Sequence, residues 1–131
     1  MASNIIIQLA FIGLCVLEAY HDAAVISIQD YRLEHYKQAS KLWHTYSAAY
    51  VTIVAGLLSW LAGAYWLFPC LLLIRLAVFN PYLNVIRGKS FFYLSDKGLD
   101  GLFVKLFSKY AGVVVWSGAV ALLLTINLIC L

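Results

Sequence analysis

The sequence predicts an all-α integral membrane protein, a bundle of four transmembrane helices with an interfacial amphipathic helix before the fourth. Three observations predict it. Of the 131 residues, 64% are hydrophobic and 11% charged, whereas a soluble domain carries about 45–50% apolar and about 25% charged residues. Four apolar runs, at about 5–28, 43–65, 69–86 and 111–131, approach the roughly 20 residues that cross a bilayer. Finally, when the runs are threaded as four spans, Lys and Arg in the connections gather on one side. One compact membrane domain over 1–131 is expected, with no room for a second.

The first run, 5–28, follows Met1-Ala2-Ser3-Asn4, which carries no Lys or Arg, and it is longer than the apolar core of a secretion signal. It is therefore expected to be retained as a span. Inside it lie Glu18, His21 and Asp22, at i, i+3 and i+4, a spacing that projects all three from one side of a helix. Ionisable groups in hydrocarbon cost at least a few kcal/mol and need partners or water. The polar segment 29–41 has no Gly or Pro and is compatible with a helical continuation of span one.

Span two, 43–65, carries Ala48, Thr52, Ala55, Gly56, Ser59 and Gly63, small residues mostly three or four apart. Such rows let helix backbones approach closely, so span two is expected to be a packing centre, within the monomer or between subunits. Pro69 opens span three, where its missing N–H is not needed. Arg75 stands near the middle of that run, and Asn80-Pro81 follows. Pro81 removes one backbone hydrogen bond. Asn80 and Asn84 share a side at i, i+4, so this half-helix reads either as the wall of a polar cavity or as the membrane exit. Between 96 and 109, Leu99, Leu102, Phe103, Leu106, Phe107 and Tyr110 recur at helical spacing with Asp100, Lys105, Ser108 and Lys109 between them, the pattern of a helix in the interface plane. Ser95 or Asp96 is positioned to cap it. Span four, 111–131, holds Asn127 as its one strongly polar side chain.

With four spans, Arg32, Lys37, Lys41, Arg87, Lys89, Lys97, Lys105 and Lys109 all fall on one side, and no Lys or Arg falls in the segments on the other. The positive-inside bias then places both termini on the non-cytoplasmic side of a cell membrane. On this threading Glu18 and Arg75 each lie roughly 15 Å from the basic surface at about 1.5 Å per residue. Matched depth makes Arg75 the expected counter-charge of Glu18.

Three functions are compatible with this cluster. The expected one is the binding or conduction of a proton, an ion or a small polar ligand by Glu18, His21, Asp22 and Arg75, because intramembrane carboxylates and imidazoles mark such sites. Imidazole is also the side chain that changes charge near neutral pH. A second is a membrane-embedded enzyme, metal-dependent or lipid-active. Glu18-x-x-His21 has the spacing used by helix-bundle metal centres, although those need the motif twice and it occurs once here. Zn or Fe would then be held by Glu18, His21, Asp22, His35 and His44. A third is a structural subunit in which the cluster only specifies packing. No cofactor is expected outright. The partners expected are the lipid bilayer and either further copies of the chain or a larger membrane complex. A net charge of +3 gives no reason to expect nucleic acid. The chain has no Gly-x-Ser-x-Gly, no phosphate-binding Gly loop and no His-Glu-x-x-His. Cys15, Cys70 and Cys130 are far apart in apolar runs and read as packing residues.

Overall fold

The computed structural model describes the backbone of residues 2–30, 36–94 and 98–130, and the side chains among them except at 2, 26–30, 36–45 and 98–99. These residues are helical or in short turns, without strand: α1 (Ala2–Asp30), α2 (Tyr36–Leu61), α3 (Leu67–Ile86), α4 (Gly98–Phe107) and α5 (Ala111–Cys130), with a 3-10 turn at Ser108–Tyr110. Among the described residues, three stretches are long and apolar enough to cross a membrane: Ser3–Val25, Leu67–Ile86 and Asp100–Cys130. Among the described residues of α2, Tyr46–Leu61 forms a shorter apolar stretch.

Glycine ends two of these helices, earlier than hydropathy alone indicates for α2. Gly63 has φ 63°, which a side chain tolerates poorly, and its N–H reaches Trp60 O while that of Ala64 reaches Ser59 O, each at 3.0 Å. This pair of bonds is a Schellman cap, and it stops α2 at Leu61 where the apolar run continues to Tyr65. Gly88, φ 69°, ends α3 in the same way, through Gly88 N–H to Val85 O at 3.0 Å and Lys89 N–H to Asn84 O at 2.8 Å. At the other end of α3, Pro69 falls in the first turn, whose N–H groups have no helical acceptor.

Pro81 does not end α3, for the helix continues to Ile86. The carbonyl that Pro81 leaves without a helical donor is that of Ala77, four residues back. The indole N–H of Trp116 on α5 donates to Ala77 O at 3.1 Å, so the bond lost within α3 becomes a link between α3 and α5. Asn84 is likewise structural: its amide donates to Tyr93 O at 2.8 Å and holds the loop after α3. The cavity that Asn80 and Asn84 share is only about 20 Å³, space for about one water. That loop is pressed so tightly on α5 that a Cβ at Gly112 would lie 1.7 Å from Phe92 O.

The packing centre is α3, which touches α1, α2 and α5. Within the chain, then, the place expected for span two is taken by α3. On α2 the buried positions are Ser47, Val51, Ala55 and Ser59, four apart, while Ala48, Thr52 and Gly63 of the small-residue row are exposed. α1 likewise turns mostly small residues inward, burying Phe11, Cys15, Ala19 and Ala23 at the same spacing. Leu67, Cys70, Leu71 and Ile74 of α3 are also fully or nearly fully buried. Cys15 and Cys70 are thus core residues, and Cys130 is exposed. At the end of the bundle that holds the termini, Gln8 donates to Asn127 Oδ1 at 2.8 Å, joining α1 to α5. Large apolar side chains such as Ile6, Leu17, Leu61, Leu128 and Ile129 cover much of the outside.

The segment between α3 and α5 departs in detail from the helix expected at 96–109. α4 begins at Gly98, and Ser108, with φ 51°, breaks it before α5. Leu102, Phe103, Leu106, Phe107 and Tyr110 are all exposed, so this apolar stripe is not covered by the rest of the chain. The caps expected at Ser95 and Asp96 lie outside the described residues.

Candidate functional site

The polar residues of α1 are separated by the helix itself. At about 100° per residue, Glu18 lies between His21 and Asp22, which are themselves about 100° apart. Asp22 continues the buried side that begins at Phe11, and its side chain is 1% exposed; that of His21 is 59% exposed. Their closest approach is His21 Nδ1 to Asp22 Oδ1, 3.6 Å. The single polar side expected from the i, i+3, i+4 spacing is therefore an arc whose two ends meet different surroundings.

Glu18, in the middle of the arc, meets α3. Arg75 Nη1 donates to Glu18 Oε2 at 2.7 Å, with the two side chains 18% and 15% exposed. The other guanidinium nitrogen, Nη2, donates to Ser47 Oγ at 3.1 Å, and the Ser47 hydroxyl donates in turn to Glu18 Oε1. The network closes on itself, with both carboxylate oxygens engaged, the guanidinium bonded to two acceptors, and the hydroxyl both donating and accepting. It ties α1, α2 and α3 together at one level. Phe79, one turn along α3 from Arg75, places its ring 4.3 Å from Arg75 Cζ and adds a cation–π contact on the remaining face. The charge that is costly in an apolar surrounding is in this way balanced within the chain.

Beside this network an open cleft of about 420 Å³ lies between α1 and α2. Leu14, Leu17, Glu18 and His21 of α1 and Tyr46, Ser47 and Tyr50 of α2 line it. The cleft follows from how the helices pack: α1 and α2 each rest on α3, and between them they leave a groove that their longer side chains line. Ser47, Tyr46 and Tyr50 escaped the reading of the sequence. The signal for Ser47 was the four-residue ladder Ser47, Val51, Ala55 and Ser59, which marks the side of α2 that meets α3.

The described residues of α1 do not by themselves gather a metal centre. Among the described residues there is no group of three or more His, Cys, Asp or Glu able to hold an ion. Glu18 has given its oxygens to Arg75 and Ser47, and His21 Nδ1 lies against Asp22 Oδ1 at 3.6 Å. His35 and the His44 side chain, the other two metal candidates, lie outside the described residues. Comparison of the chain with protein-family models, with curated proteins and with solved structures finds no match.

Proposed function

We propose that this chain is a multi-pass protein of the cell membrane, with four spans and both termini on the non-cytoplasmic side, that binds a small polar ligand or ion in the cleft between α1 and α2. One observation carries the reading: Glu18 is fixed by Arg75 and Ser47 and also faces an open cleft with His21 and two tyrosines. A carboxylate needed only to neutralise Arg75 has no use for an open side, whereas a binding site has. Membrane sites typically combine an apolar wall with a few fixed polar groups. Because Arg75 already balances Glu18, the cleft offers oriented hydrogen-bonding groups more than net negative charge. That favours a small polar ligand over a bare cation.

In this role Ser47 and Glu18 supply acceptors whose positions are set by Arg75, His21 supplies a group able to donate or accept, and Tyr46 and Tyr50 cover the ligand. The exposed apolar side chains of α1, α2 and α5 support lipid as the surrounding solvent. The network that joins three helices also favours a second reading, in which the cluster serves packing alone.

A thermal-shift series on purified protein in detergent separates the two, using protonated amines, carboxylates, small alcohols and amides, and monovalent and divalent cations. We expect at least one class to raise the midpoint by several degrees, and Leu14→Trp, which fills the cleft without touching the ion pair, to abolish that rise. A flat response to every class, with no proton or ion flux in proteoliposomes, leaves the packing role and overturns the binding one.

A further inference from the structure

The Glu18 cleft is not the largest opening in the chain. A second, of about 500 Å³, lies where the loop after α3 meets the break between α4 and α5. Ser90, Ser108 and Lys109 form its polar rim, and Leu94, Val104 and Val113 its apolar lining. Its floor is rigid, since Gly112 and Phe92 are in backbone contact and Asn84 holds the carbonyl of Tyr93. Arg87, Lys89, Lys105 and Lys109 have no carboxylate partner among the described residues. Lys89 instead lies over the ring of Tyr93, 3.9 Å from its centroid, and Lys109 over that of Tyr110, at 5.1 Å. Residues 87–109 contain five Lys and Arg against two Asp. The pocket therefore joins one basic residue, Lys109, which has no carboxylate partner among the described residues, to an apolar groove, and α4 beside it carries an exposed apolar stripe.

From this juxtaposition we infer that the groove binds one anionic phospholipid, its phosphate on Lys109, Ser108 and Ser90 and an acyl chain against Val104, Val113 and Leu94. Two features of the site select this occupant. A lysine with no carboxylate partner among the described residues, together with two hydroxyls, fits a phosphate, and the apolar lining fits hydrocarbon, so neither a free phosphate nor a neutral lipid uses both. The positive rim also faces the leaflet that carries anionic lipid if the basic side is cytoplasmic, and in that respect the inference rests on the membrane orientation proposed above.

The test is native mass spectrometry of the full chain in detergent micelles, titrated with phosphatidylglycerol, with phosphatidylcholine of the same acyl chains, and with inorganic phosphate. One phosphatidylglycerol should be retained in preference to phosphatidylcholine, and inorganic phosphate should not displace it. Lys109→Gln should weaken retention about fivefold, the effect of one basic residue beside an anionic lipid. Val104→Trp, which fills the groove and keeps every charge, should weaken it as well, while Leu14→Trp in the other cleft should not. Equal retention of the two lipids, displacement by inorganic phosphate, retention unchanged in both groove variants, or equal loss in Leu14→Trp each overturns the site. Failure of the membrane reading is separately visible, because the chain would then partition into the aqueous phase when a detergent solution is warmed through its cloud point.

Discussion

Replacing Arg75 tests the ion-paired network most directly. Arg75→Met keeps an unbranched side chain of similar length and removes the guanidinium, so Glu18 is left in its largely buried position with Ser47 as its remaining partner. Breaking one side of a buried pair costs about 3–5 kcal/mol. Loss of the contact with the Phe79 ring adds about 1 kcal/mol, for a total of about 4–6 kcal/mol. Glu18→Gln should cost less, at the low end of that range for a broken pair, because the amide oxygen and the Ser47 hydroxyl still accept from the guanidinium. The double variant carries no stranded charge and should lose much less than the sum of the two. A coupling of at least about 2 kcal/mol is expected. Reversible unfolding in mixed micelles, with rising mole fraction of a denaturing detergent and read by tryptophan fluorescence, measures all four corners of the cycle. Costs that add to within about 0.5 kcal/mol would refute the pairing as the origin of the stability.

Two further substitutions test how α3, α5 and the loop between them are joined. Trp116→Phe removes the donor to Ala77 O and should cost about 1 kcal/mol or more, and Pro81→Ala, which restores a helical N–H to that carbonyl, should recover much of the loss in the double variant; no recovery means the indole matters only for its contacts with Phe91 and Phe92. Gly112→Ala places a methyl group against Phe92 O and should lower stability by about 2–3 kcal/mol, whereas Gly118→Ala, with open space around it, should be neutral or stabilise by up to about 1 kcal/mol; thermal midpoints in detergent compare the two directly.

Much of the fold was legible because it is recorded locally. Helix type follows from apolar runs free of breakers, and the helix ends from residues with special backbone demands, although Gly63 shows that a cap overrides hydropathy in fixing where a helix stops. The partnership of Glu18 and Arg75 was also legible, since two charges placed at one depth in apolar segments have few other ways to be balanced. Ser47 was not. A serine in an apolar run has many harmless fates, and its place in the network depends on which side of α2 turns toward α3. Likewise Pro81 reads alone as a kink or an exit, and its missing bond is made good by a tryptophan 35 residues further along the sequence.

The sequence by itself determined that this chain is helical, where its apolar segments lie, that all but one of its basic residues fall in the connections between them, and that Glu18 requires a counter-charge. Only the tertiary structure decided that α1, α2 and α5 pack on α3, that Ser47 closes the network, and that clefts open beside Glu18 and beside Lys109. The physical reason lies in the surrounding that the composition implies. When lipid is as apolar as the protein interior, hydrophobicity no longer distinguishes the side of a helix that packs from the side that faces out. That choice passes to shape and hydrogen bonding, here the small residues of α1 and the Arg75 guanidinium, which become visible once the helices are brought together.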